Sequence, residues 1–165
     1  VDIATGRASV AFTIRHDGAE VARVELPTPG MHNARNAAAA FVATIAAGGS
    51  AAAAAAALAR FGGVARRFEF RGEIDGVTFV DDYAHLPTEV EAALAAAADG
   101  GWERIVCVFQ PHRYSRTAAL WQDFADGFVG ADVLVVTDIY ASGETPRPGI
   151  TGKLIVDAVL LPPLR

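Results

Sequence analysis

The sequence predicts an α/β protein built on a mainly parallel sheet. Two observations carry that expectation. Short apolar runs end abruptly in polar loops at three places: FVDDYAHLP from Phe79, RIVCVF running into QPHRYSR, and VLVVT running into DIYASGE. Helical stretches follow these runs, and strands that alternate with helices imply parallel pairing through right-handed crossovers. Ligands of open α/β sheets sit beyond the carboxyl ends of the strands. Asp81, Asp82, Tyr83 and His85 therefore stand where a site belongs, and the three polar loops are expected to converge on one edge.

The elements follow in order. From Ser9 to Leu26 the apolar positions alternate around a turn at Asp17-Gly18, which is a β-hairpin pattern, with no strand expected before it. Pro27, Thr28, Pro29 and Gly30 stop the hairpin. Asn33 is expected to cap a helix running to about Ala47, and Ser50 to cap a second running to about Phe61. Gly62-Gly63 is a candidate hinge. Two strands, Phe68 to Ile74 and Val77 to Asp81, are joined by a turn at Asp75-Gly76. A helix follows to about Ala98, with Pro87 near its first position and Thr88 and Glu91 spaced as a capping box. A strand from Arg104 to Phe109, a helix from about Ser115 to Phe128, a strand from Val133 to Thr137 and a helix from about Thr151 to Leu160 complete the chain.

Composition bounds the function. With 165 residues, 52% hydrophobic and 20% charged, the chain can bury a sizeable core as one domain, or one domain with part of another. The net charge of -5 gives no general reason to expect nucleic acid or an anionic membrane surface as a partner. No apolar stretch is long and lipid-like enough to span a bilayer, so neither membrane insertion nor a location other than the cytoplasm is expected. The single cysteine, Cys107, excludes an intrachain disulfide framework and reads as a buried structural thiol.

Five groups of residues can carry chemistry. His32, Asn33 and Asn36 follow Gly30 at a helix start, where unpaired backbone N–H groups and two amides suit a polar heterocycle or a phosphate. A plain helix cap is the bland alternative. Arg67, beside Arg66, can grip a phosphate bidentately or lie on a solvated strand edge. Asp81, Asp82, Tyr83 and His85 can hold a metal, a ribose or an amine, and His85 can bind a carboxylate or take a proton. His112, Arg113 and Arg116 form a compact cationic cluster in an acidic chain, suited to a carboxylate or phosphate. Asp138, Tyr140, Gly143 and Glu144 either shape the same cleft or form an ordinary turn. The chain contains no GxxxxGK[ST] loop, no GxGxxG fingerprint and no HExxH or cysteine-based metal spacing.

Five blocks in this order, GMHNARNAAAA, GVARRFEFRG, FVDDYAHLPTE, VFQPHRYSRT and DIYASGETP, resemble the Mur ligase family in its alanine-adding branch. QPHRYSRT separates that branch from the murein-tripeptide recycling ligases and from the folylpolyglutamate synthases. The resemblance implies ATP-dependent joining of L-alanine to UDP-N-acetylmuramate through an acyl phosphate, in peptidoglycan precursor synthesis, with ATP and Mg2+ as cofactors. It implies that His32, Asn33, Asn36, Arg67 and Asp82 contact the nucleotide. Tyr83, His85, His112, Arg113 and Arg116 would bind the amino acid and the acyl phosphate, with His85, Arg113 and Arg116 serving catalysis. The family usually carries a second histidine where Leu86 stands.

The resemblance further implies a Rossmann-like carboxyl-terminal domain over residues 67–165, incomplete at its end. Residues 1–66 would form the hairpin-plus-helices tail of the central ATP-binding domain. The remainder of the central domain, with most magnesium ligands, and an amino-terminal domain are expected upstream, so the chain alone is expected to be inactive. A non-catalytic α/β module that binds a small carboxylate or nucleotide is the alternative expectation.

Overall fold

A computed structural model describes residues 2–159. The protein is α/β, and its contacts divide it into two compact units. One runs from residue 2 to Tyr83 and includes Asp99–Gly101, while the other comprises Ala84–Ala98 and the described residues from Trp102 onward.

In the first unit, β1 (Ile3–Thr5), β2 (Val10–His16) and β3 (Ala19–Leu26) form an antiparallel sheet in that order. The hairpin forms because Asp17 and Gly18 both take positive φ, 49° and 80°, as a two-residue type I′ turn requires. The register sets Phe12 against Val24 and Val10 against Leu26, and all four are buried. Helices α1 (Met31–Ala46) and α2 (Ala51–Leu58) cover that face, with Ala34 and Ala37 in the same core and Ala55 and Leu58 packed on it. Ser50 caps α2, its side chain accepting the Ala53 N–H at 3.2 Å. Next, β4 (Glu69–Ile74) and β5 (Val77–Asp81) pair antiparallel about a second positive-φ turn, Asp75-Gly76.

In the second unit, α3 (Pro87–Asp99) packs Val90 and Leu94 into the core, and β6 (Val106–Phe109) pairs in parallel with β7 (Val133–Val136). Between those strands lie α4 (Tyr114–Leu120) and a 3-10 helix (Trp121–Phe124), and α5 (Lys153–Ala158) closes the described chain. Three phenylalanines make the centre: Phe109 lies 5.3 Å from Phe124 and 5.2 Å from Phe128, ring to ring. Gly152 passes so close to β7 that a Cβ there would stand 2.5 Å from the Thr137 carbonyl oxygen. A side chain at that position would force backbone apart.

The structure corrects several expectations. A three-residue strand, β1, precedes the hairpin and adds its outer edge. Gly30, not Asn33, occupies the cap of α1. The expected helix from Ser115 to Phe128 is α4, which starts a residue earlier at Tyr114, followed by the 3-10 helix and turns; that change of winding accompanies burial of both Phe124 and Phe128. At α3 the expected pair Thr88 and Glu91 is replaced by Glu89, whose Oε2 accepts the backbone N–H groups of His85 at 2.9 Å and Leu86 at 3.2 Å. This is the reach-back half of a capping box, made by the third helical residue. The expected parallel pairing is made by β6 and β7 and continued by a bridge between His112 and Tyr140, while the other two sheets among the described residues are antiparallel. Leu160, the expected end of the last helix, lies outside the described residues.

Phe128 is fully buried, whereas its neighbour Val129 is 76% exposed. Phe128→Ala is expected to lower unfolding stability by about 3–5 kcal/mol, and Val129→Ala to change it by roughly 0.5 kcal/mol or less. Denaturant midpoints of the two variants check this, and equal midpoints would contradict the assigned core.

Candidate functional site

Each unit carries one group of candidate residues. In the first, Gly30 takes φ 94° and ψ 142°, a conformation open to glycine, and turns the chain directly into α1. His32, Asn33 and Asn36 consequently fall in the first two turns. The Asn33 Nδ2 donates to the Pro29 carbonyl at 2.7 Å, so its amide fixes the entry loop, while Asn36 is exposed. Burial holds His32 below the ordinary histidine range; the charge on Asp82 works against this and that on Arg67 adds to it. His32, Arg67 and Asp82 thus form one electrostatic neighbourhood.

Arg67 is held there by an unusual backbone. Arg66 and Phe68, on either side, take φ 57° and 46°, a region that non-glycine residues rarely enter without outside support. Support comes from two carboxylates. Asp82 Oδ2 accepts the Phe68 N–H at 2.9 Å, and Glu69 Oε2 accepts the Arg66 N–H at 2.8 Å. The Arg66 carbonyl in turn accepts the Tyr83 N–H at 2.7 Å. The Arg66 guanidinium lies 4.7 Å from the centre of the Tyr83 ring and 3.5 Å from Asp81, and the Arg67 guanidinium lies 6.0 Å from the same ring. Tyr83, expected in the amino-acid pocket, therefore sits among the arginines of this unit.

The second unit gathers His85, His112, Arg113 and Arg116. Beyond the ends of β6 and β7 the two loops stay paired: Tyr140 N–H donates to the Pro111 carbonyl and Arg113 N–H to the Tyr140 carbonyl, both at 2.8 Å. The His112 ring stacks on Tyr140 at 5.4 Å and lies 6.0 Å from the His85 ring. His85 is anchored by Glu89, whose carboxylate also stands 3.4 Å from its Nδ1.

Arg116 fixes the state of His112. Its Nη1 lies 3.1 Å from His112 Nδ1, and a guanidinium has only donors, so Nδ1 accepts and the neutral ring carries its proton on Nε2. Burial lowers the His112 pKa first, with Arg116, Arg113 and His85 adding to it and Glu144 opposing. Two arginines beside a neutral imidazole that donates from Nε2 make a donor array suited to carboxylate or phosphoryl oxygens.

Sequence reasoning gave too little weight to three residues. Glu89 carried a readable signal, a glutamate at the third helical position. The pairing of Ser115 with Glu144, the latter named above as shaping the cleft or part of an ordinary turn, carried none, because 29 positions separate them: Ser115 N–H donates to Glu144 Oε2 at 2.8 Å and the Ser115 hydroxyl bonds the other carboxylate oxygen. Leu86, in place of the second histidine, precedes α3 and contributes a backbone N–H to Glu89. Cys107 is half-buried, and desolvation pushes its thiol up to about 11, which fits a structural role. Among the described residues no group of three or more His, Cys, Asp or Glu side chains is placed to hold a metal ion, and no helix is long and apolar enough to cross a membrane.

The chain is a mixed α/β protein whose strand ends carry an arginine-rich, histidine-bearing loop pair. The chain belongs to the Mur ligase family: the family described as Mur ligase, glutamate ligase domain, matches residues 66–163. It is 49% identical over 164 residues to the UDP-N-acetylmuramate–L-alanine ligase of Kineococcus radiotolerans, covering 98% of this chain and 34% of that protein. With the ligase of the same name from Geobacter sp. (strain M21) it shares 43% identity over 159 residues, covering 96% of this chain and 34% of the relative. The crystal structure of the UDP-N-acetylmuramate-alanine ligase MurC from Thermotoga maritima superposes with a TM-score of 0.77 at 32% identity, over 95% of this chain and 33% of that one. The chain thus spans about a third of the length of the curated relatives it matches.

The lowered pKa values of His32 and His112 set a direction for stability. As pH falls, the unfolded chain takes up these protons first, near pH 6.5. Their contribution is complete above about pH 6.5 and is lost as the pH falls from there through the lowered folded values. The lowered carboxyls of Glu69 and Glu144 act only further down, below their ordinary range. Stability is therefore expected to decline on acidification from pH 7, with a shallower decline in His112→Gln. Denaturant midpoints across pH 5 to 8 test this, and an unaltered slope in the variant would remove His112 from the account.

Proposed function

We propose that the protein carrying this chain is an ATP-dependent ligase of peptidoglycan precursor synthesis, acting in the cytoplasm, that joins L-alanine to UDP-N-acetylmuramate through an acyl phosphate. One observation carries the reading: the cationic cluster at the end of β6 belongs to a chain 42% to 51% identical to relatives bearing that ligase name. Residues 1–66 are assigned to the end of a central ATP-binding domain and 67–165 to the carboxyl-terminal domain. The relatives are about three times as long as this chain. We assign the UDP-sugar site and most magnesium ligands to that additional length.

The residues present fit the nucleotide. Arg67, on its strained and carboxylate-supported turn, offers a bidentate donor to phosphate oxygens. Asp82 and the helix start at His32, Asn33 and Asn36 offer polar partners to a ribose and a base. ATP, when bound with its magnesium, supplies the phosphoryl group that activates the muramoyl carboxylate. In the second unit, Arg113 and Arg116 neutralise oxygens of the amino acid and of the acyl phosphate, and His112 donates from Nε2. His85, anchored by Glu89, stands within the same group as the candidate acceptor of the amine's proton.

Two outcomes test this. Arg113→Ala in the complete protein is expected to raise the KM for L-alanine or lower turnover, through loss of a charge-assisted contact worth about 1.5–3 kcal/mol, roughly 10- to 150-fold in kcat/KM. Unchanged kinetics would remove Arg113 from the pocket. The 165-residue chain alone is expected to release no phosphate from ATP, UDP-N-acetylmuramate and L-alanine, whereas the complete protein does so only with all three present. Turnover by the isolated chain would overturn the division of labour, and binding of L-alanine without turnover by the complete protein would favour a binding module.

A further inference from the structure

We infer that Glu144 is a positioning residue of the amino-acid pocket, clamping the loop after β7 onto the start of α4 and holding Arg113 in place. Arg113 is the residue that most needs such a hold. It takes φ 74° and ψ 135° at the cap of α4, with no side-chain hydrogen bond to that cap. This is a left-handed conformation that a non-glycine residue keeps only where its surroundings over-determine it. Its backbone is gripped on both sides. The N–H donates to the Tyr140 carbonyl at 2.8 Å, and the carbonyl accepts the Thr117 N–H at 3.1 Å and the Thr117 hydroxyl at 3.0 Å.

The next two links come from Glu144. Its carboxylate takes both the N–H and the hydroxyl of Ser115, two residues beyond Arg113, and is itself fixed by its own N–H donating to the Ala141 carbonyl at 3.0 Å. Tyr140 and Glu144, four residues apart on one loop, thus pin Arg113 at the cap of α4 and Ser115 in its first turn. The carboxyl of Glu144 is held below its usual range chiefly by the Ser115 side-chain and backbone bonds, with Arg147 and Arg113 adding to the effect. It therefore remains an acceptor at neutral pH. A free loop with an arginine at φ 74° would relax toward ordinary φ and swing the guanidinium away from His112. The clamp resists that relaxation, so Glu144 acts on the ligand through Arg113 and does not need to touch it.

The activity arm of the test rests on the ligase reading, and the exchange arm does not. In the complete protein, Glu144→Ala is expected to raise the KM for L-alanine by about tenfold or more, with the KM for ATP unchanged. Glu144→Gln keeps one acceptor oxygen at the same reach and is expected to restore most of that loss. Amide hydrogen exchange of Arg113 and Ser115 is expected to accelerate in the alanine variant and to stay near wild type in the glutamine variant. Unchanged exchange at Arg113 in Glu144→Ala overturns the clamp, whatever the kinetics do. An equal loss across both substrates, matching a loss of folded protein by thermal melting, overturns positioning in favour of plain stability. If the wild type ligates no L-alanine, the ligase reading falls, and Arg113 exchange alone decides the clamp.

Discussion

Parallel pairing of β6 and β7 does not stop where the strands stop. Four backbone registers, from Val106 with Val133 to Phe109 with Val136, are extended by Thr137 N–H to Phe109, Tyr140 N–H to Pro111 and Arg113 N–H to Tyr140. The ladder carries strand-level precision into loops that would otherwise be loose. His112 and Arg113 lie on one loop, with Arg116 in the first turn of α4 that follows it, and Tyr140 and Glu144 lie on the other loop. The spacing of the cationic cluster is therefore set by sheet geometry and by the phenylalanine core beneath it, where Phe109 anchors the end of β6.

Both candidate groups use carboxylates as backbone acceptors before any ligand is considered. Asp82 and Glu69 satisfy N–H groups of the Arg66 to Phe68 turn, Glu89 satisfies those of His85 and Leu86, and Glu144 satisfies that of Ser115. Each of these turns presents an arginine or a histidine. The acids of this chain thus serve the backbone of the turns that carry its cations, and Glu69 and Glu89 also stand beside the side chains of Arg71 and His85. Removing one such acid costs more than an exposed ion pair would, because a strained or partly buried N–H loses its partner.

Much of this was legible beforehand, for local reasons. Asp17-Gly18 and Asp75-Gly76 announced hairpins because two-residue turns need positive φ. The alternation of Val10, Phe12, Val24 and Leu26 announced the buried face, and Ser50 announced a helix start. What escaped was set by distance or by small energies. β1 has three residues and owes its existence to pairing with β2, which no local propensity encodes. Asn33 has the chemistry of a cap, but Gly30 three residues earlier can take the φ that turns the chain into α1. Trp121 to Phe124 winds as 3-10 helix beside a core that takes both Phe124 and Phe128, a tertiary demand that the amphipathic pattern could not display. The bond from Glu144 to Ser115 spans two elements and a strand, beyond any spacing rule.

Protonation ties these observations together. Arg116 engages the Nδ1 lone pair of His112, so protonating that ring would break the contact and place a third cation between two arginines. The neutral form is therefore favoured by the same residues that make the site cationic, and the imidazole serves as a hydrogen-bond donor of fixed direction instead of a floating charge. His85 is held by Glu89, whose carboxylate accepts its backbone N–H at 2.9 Å and stands 3.4 Å from its Nδ1. The two imidazoles lie 6.0 Å apart and are oriented by different partners, an arginine at His112 and a glutamate at His85.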